Sequence, residues 1–154
     1  MERRTAVLLL RPRTGEVSAG VTWPAAGGRA RAAALLLAPD RFGGTSRAEY
    51  AAALANGSGY VVVDLRCGGT GPHSAGDVDA GELGVAAYTL GWLADHAAEL
   101  GAEAAEVVVV SVPPAVETAR AVTARARAEG WPRVARHIRI DEFAAAGPSN
   151  GERD

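Results

Sequence analysis

Three short runs constrain this 154-residue chain more than any other feature. Ala32 to Ala38 is apolar at every position, Val107 to Val110 is four valines in succession, and Tyr60 to Leu65 is interrupted only by Asp64. A strand with one wet face alternates apolar and polar residues. An unbroken apolar run belongs to a strand covered on both faces, as in a parallel sheet with helices above and below. The stretches between the runs carry helical signals. Ser46 followed by Glu49 is a capping-box pair, and Tyr50 and Leu54 continue an apolar stripe towards Asn56-Gly57, where the helix is expected to stop. Leu83, Ala87, Leu90, Ala94, Ala97 and Leu100 keep helical spacing from about Ala80 until Gly101. Pro113 and Pro114 suit the first turn of a third helix that ends at Gly130.

Ahead of these elements, Thr5 to Leu10 and Glu16 to Trp23 flank the turn Arg11-Pro12-Arg13-Thr14-Gly15, which reads as an antiparallel hairpin. Val134 to Ile140 supplies the last strand. The order is a hairpin followed by β-α-β-α-β-α-β. The predicted fold class is therefore α/β: three layers around a mostly parallel sheet of about six strands, with an N-terminal antiparallel hairpin and right-handed crossovers. One domain over residues 1–143 is expected, with the small and polar residues 144–154 as a disordered tail.

Composition removes several functions. Sixteen basic residues face eighteen acidic ones, a net charge of −2, and no basic run is available to track phosphates. No nucleic-acid partner is expected. Every basic residue is arginine, which excludes a Schiff-base lysine, a Walker lysine and a Ser-Lys pair. The single cysteine allows neither an internal disulfide nor a thiolate zinc cluster and fits a reducing cytoplasm; neither cofactor nor metal is expected. The apolar run Ala6 to Leu10 is too short for a signal-peptide core, and no stretch approaches membrane-spanning length, so the expected location is cytoplasmic, away from membranes.

The segment Leu54 to Arg66, with Val61-Val62-Val63-Asp64-Leu65-Arg66 at its end, resembles the part of α/β-hydrolases where a strand runs into an Asp/Tyr-Arg turn. Leu90 to Gly101 resembles the helix before the nucleophile strand in the hormone-sensitive-lipase-like esterases. Together with the hairpin, the resemblance covers roughly residues 5 to 140 and implies a truncated α/β-hydrolase-like fold. It also implies a G-x-S-x-G elbow, a sharp strand-to-helix turn that exposes a serine Oγ. Here the matching segment is Val109-Val110-Ser111-Val112-Pro113-Pro114-Ala115: Ser111 takes the place of the first glycine and Pro113 that of the nucleophile. Valine and proline cannot supply the close approach and strained backbone that glycines permit. After the third strand these esterases carry a His-Gly-Gly-Gly-like run, whereas this chain has Pro39-Asp40-Arg41-Phe42-Gly43-Gly44. A carboxylate at Asp40 would oppose a developing oxyanion, with Arg41 offsetting it in part. The acid and histidine of the triad would follow on strands beyond the sixth, which this sequence does not contain.

An open parallel sheet places ligands at the carboxyl ends of its strands. The residues delivered there are Asp40 and Arg41, Asp64 to Cys67, Ser111, and Asp141 with Glu142. The resemblance places the third strand between the fourth and fifth, which brings Asp40 near Ser111. Cys67 follows Arg66, precedes two glycines and has His73 six residues on. A neighbouring guanidinium would favour its thiolate and His73 could assist it; the plainer reading is a loop thiol with no orienting third group. Gly68-Gly69-Thr70-Gly71 lacks the spacing of a dinucleotide loop. His96 reads as a solvated helix residue, His137 as part of a polar edge strand, and Asp77, Asp79 and Glu82 as complements to a helix N-terminus. Arg120, Arg125 and Arg127 read as a solvated helix face.

Two functions follow as expectations. The first is a non-hydrolytic accessory or interaction protein, in a bacterial biosynthetic pathway. It would associate as a homodimer, or with a partner enzyme, through the sheet edge left open after the sixth strand. The second is a small-molecule enzyme of cyclase, isomerase or lyase type, acting through Asp40, Arg41, Cys67, His73 and Ser111 in a closed apolar pocket. A third arrangement, one part of a longer or split hydrolase, would need a serine elbow from elsewhere.

Overall fold

The unbroken apolar runs form strands covered on both faces. In the computed structural model of the protein, which describes residues 4–12, 15–68 and 80–140, β3 (Ala32–Ala38), β6 (Tyr60–Arg66) and β7 (Val107–Ser111) lie side by side and parallel. Each residue of β3 and β7 is buried. The hairpin of β1 (Arg4–Leu10) and β2 (Val17–Trp23) joins this core by antiparallel pairing of β2 with β6. β8 (Val134–Arg139) pairs in parallel with β7, and the six-stranded order is β1-β2-β6-β3-β7-β8. The third strand does lie between the next two parallel strands, as the resemblance implies.

Strand side chains alternate faces, so each central strand feeds two cores. Ala34, Leu36, Val62, Val108 and Val110 meet Ala51, Leu54 and Ala55 of α1 (Arg47–Ser58). Leu35, Leu37, Val61, Val63, Val107 and Val109 meet Leu90 and Leu93 of α2 (Ala80–His96) and Ala119 and Val122 of α3 (Val116–Glu129). With few aromatic residues available, Leu and Val fill these layers; burying each such side chain stabilises the fold by about 1.5–3 kcal/mol. Among the described residues no helix is long and apolar enough to cross a membrane.

The helix boundaries differ from expectation in two places. The capping box at Ser46 and Glu49 forms as predicted, but α1 runs through Gly57 and stops at Gly59, whose φ of +73° lets its N–H reach the Ala55 carbonyl. Asn56 is engaged otherwise: its Oδ1 accepts from the Ala25 N–H at 2.8 Å. α2 ends at His96, short of Leu100, and a hydrogen-bonded turn carries the chain on to Gly101. The third helix begins with a 3-10 turn over Pro113–Ala115 and is capped by Gly130, as the prolines and glycine predict. A small hairpin of β4 (Arg41–Phe42) and β5 (Thr45–Ser46) fills what sequence suggests is a plain loop. Residues 141–154, which include Asp141, Glu142 and the expected tail, lie outside the described residues.

Candidate functional site

The corner from β7 into α3 is where the expected resemblance would set a nucleophile. Val112 is extended (φ −95°, ψ 149°), the prolines enter the 3-10 turn directly, and no described non-glycine residue has a positive φ. The chain therefore passes the corner in relaxed backbone, without the strain that an elbow stores. The corner is also covered. At Gly68, in the loop after β6, a Cβ would lie 2.6 Å from the Pro114 carbonyl oxygen, so backbone packs there directly on backbone. Ser111, the hydroxyl at the end of β7, is fully buried.

Its Oγ lies 2.8 Å from Nε2 of His137 on the neighbouring β8. The register sets Val109 opposite His137 and Ser111 opposite Arg139, which puts both side chains on the sheet face that carries α2 and α3. β8 is an edge strand, as read from the sequence, but His137 is a partner to a buried hydroxyl and not simply a polar edge residue. A buried hydroxyl needs such a partner. Sequence carries that requirement but not the inter-strand register that names the partner.

At the end of β6, Cys67 is buried, its N–H donates to the Ala38 carbonyl, and its Sγ lies 3.6 Å from Glu82 Oε1. The thiol thus faces a carboxylate, while the Arg66 guanidinium expected beside it turns to Asp40. Glu82, in the first turn of α2, also accepts from the Gly68 N–H at 3.1 Å, a role beyond the helix-end complement read from sequence. His73, Asp77 and Asp79 lie outside the described residues. His96 is not a simply solvated residue: its ring stacks on Trp92 at 4.2 Å and its Nδ1 lies 2.8 Å from the Trp92 carbonyl.

Arg47, which sequence reasoning did not single out, joins two of the carboxylates that it did. Asp64 is buried, and Arg47 at the start of α1 donates from Nε to its Oδ1 at 2.8 Å and from Nη1 to Asp40 Oδ1 at 2.7 Å. Arg66 reaches Asp40 Oδ2 at 3.6 Å. The hydrogen bond from Arg47 holds the Asp40 carboxyl below its ordinary pKa, against a smaller opposing effect of desolvation, and the charges of Arg47 and Arg66 add to the lowering. Burial alone would lower the pKa of Arg47; its hydrogen bonds to Asp64 and Asp40 outweigh that and raise it. Arg41 does not offset Asp40: its Nη1 closes the β4–β5 hairpin onto the Gly44 carbonyl. The available signal was Asp64 itself, the one charge inside the apolar run Tyr60 to Leu65; the structure adds Gly20 opposite it, where a Cβ would lie 2.5 Å from Asp64 Oδ2.

Asp40, Arg47 and Arg66 line an open cleft of about 590 Å³, whose walls also include Ser18, Glu82 and Val85. It is neither closed nor shared by the three residues expected to meet: Asp40 borders it, whereas Cys67 and Ser111 do not. Among the described residues no group of three His, Cys, Asp or Glu side chains could hold a metal ion.

No protein-family model and no curated protein sequence matches the chain. Solved structures do. The chain is similar in fold to a bacterial heroin esterase (TM-score 0.70, 19% identity, covering 89% of this chain and 44% of that one). It is similarly close to EstE1, a thermophilic carboxylesterase cloned from a metagenomic library (0.70, 20%, 90% and 48%). A hyperthermophilic esterase from the archaeon Pyrobaculum calidifontis matches with 0.68, 22%, 87% and 43%. The fold is thus that of α/β-hydrolase esterases, as the resemblance in the sequence implies, and the chain spans less than half the length of each.

Proposed function

We propose that this chain is a non-hydrolytic member of that fold, working as an accessory or interaction protein in a biosynthetic setting. One observation carries the reading: the β7–α3 corner holds proline in relaxed backbone where an esterase needs an exposed serine, and Gly68 packs over it. A hydroxyl that is fully buried and bonded to His137 cannot meet an ester carbonyl. The purified chain is expected to leave p-nitrophenyl acetate uncleaved and to resist fluorophosphonate labelling. Labelling or turnover that disappears in Ser111→Ala overturns the proposal.

Association through a sheet edge is part of the same reading. The edge expected for it, after the sixth strand, is β8, which carries Arg136, His137 and Arg139; the apolar edge lies instead at the other end of the sheet, on β1, where Val7 and Leu9 are 72% and 62% exposed with no charge between Thr5 and Leu10. Uncharged apolar edges pair readily unless blocked. Light scattering is expected to give a dimer at micromolar concentration and a monomer for Val7→Asp; a native monomer refutes self-association. The enzyme reading has less support, since among the described residues the cleft that Asp40 borders is not lined by Cys67 or Ser111.

A further inference from the structure

Asp40 is bound in the manner of a ligand. Its two carboxylate oxygens go to different guanidiniums, Oδ1 to Arg47 at 2.7 Å and Oδ2 to Arg66 at 3.6 Å. The carboxylate stands at the cleft rim with 68% of its side chain exposed, while Arg47 behind it is 23% exposed and anchored on the buried Asp64. Gly20, across the strand pair, leaves room for that anchor. One guanidinium is therefore fixed from within and a second converges on it from the surface. Their shared carboxylate is the most exposed of the four groups. The other acids at the cleft are engaged: Glu16 pairs with Arg11 at 3.3 Å, and Glu82 accepts from Gly68.

We propose that Arg47 and Arg66 form a carboxylate clamp facing the cleft, with Asp40 as a built-in occupant that a small carboxylate ligand displaces. Guanidiniums match carboxylates in geometry and charge. Exchanging one carboxylate for another keeps the number of charge-assisted bonds, so the balance is set by what the rest of the ligand touches. The remaining wall includes Val17, Leu65 and Val85, which suits a short aliphatic chain.

The test is a titration of the isotopically labelled chain with butanoate, and with butanamide as its uncharged counterpart, followed by nuclear magnetic resonance. In Asp40→Asn, butanoate is expected to shift the Arg47 and Arg66 amides saturably, with affinity about tenfold above the native chain, while butanamide leaves them in place. Asp40→Ala gives the same gain, and adding Arg66→Gln to either variant lowers affinity about tenfold. The clamp is refuted by the absence of saturable shifts in both Asp40 variants, by an equal response to butanamide, or by shifts indifferent to Arg66→Gln. Unfolding of both Asp40 variants also refutes it, because a displaceable occupant cannot be what holds the fold together.

Discussion

Replacing Gly68 with alanine tests whether the loop after β6 really closes the β7–α3 corner. Gly68 has φ +78°, a region that costs an L-residue about 1–2 kcal/mol. The added Cβ would also sit 2.6 Å from the Pro114 carbonyl oxygen and 2.8 Å from its carbon, and backbone cannot swing aside as a flexible side chain does. Forcing such a contact apart costs about 1–3 kcal/mol more, so Gly68→Ala should destabilise by about 2–5 kcal/mol in total. Gly130 separates the two effects, because it has nearly the same φ, +72°, and nothing within 4 Å of its built Cβ. Gly130→Ala should therefore lose only the conformational part, about 1–2 kcal/mol. In urea unfolding with a slope near 2 kcal/mol/M, the midpoint of Gly68→Ala should fall about 0.5–1.5 M below that of Gly130→Ala. Equal midpoints would mean that the loop does not cover the corner, and the case for a blocked elbow would lose its second support.

Gly20→Ala should drive the Asp64 carboxylate off Arg47 and cost about 1–3 kcal/mol, read as a lower thermal midpoint; an unchanged midpoint would show that the pair can move aside. Asp40 has a folded-state pKa below its unfolded value, so its contribution is present at neutral pH and lost as pH falls through the folded pKa, below about pH 4. Asp40→Asn should accordingly lower stability at pH 7, by an amount that shrinks as pH falls below the ordinary Asp range; a deficit that does not shrink in acid would contradict the assigned ion pairs. Ser111→Ala should cost about 1 kcal/mol in urea unfolding through loss of the bond to His137, and a neutral result would deny that bond any role in holding β8.

The central strands were legible because burial on both faces is written directly into composition: a strand such as Ala32–Ala38 has no polar option at any position. Helix starts were legible where a local device sets them, as at Ser46 with Glu49 and at the paired prolines. The end of α1 was not, because Gly57 and Gly59 are both able to take a left-handed conformation, and a hydrogen bond that Asn56 Oδ1 accepts from the distant Ala25 N–H accompanies the later stop. The site was harder for the same reason. Arg41 and Arg47 both follow Asp40 closely, and only the β4–β5 reversal sends the nearer one to Gly44 and returns the farther one to the carboxylate. His137 and Ser111 are 26 residues apart, and only the β7–β8 register joins them.

The place of β3 in the sheet has a consequence for synthesis. Both of its neighbours, β6 and β7, are encoded after it, and β7 ends only at Ser111. On a ribosome adding about 5–20 residues per second, Ala32–Ala38 would wait roughly 4–15 s for its second neighbour to be made. Until β6 is made both edges of these seven apolar residues are open to other nascent chains, and until β7 is made one edge still is. Yield in cells should therefore depend on translation speed and chaperone supply more than the finished fold's stability would suggest.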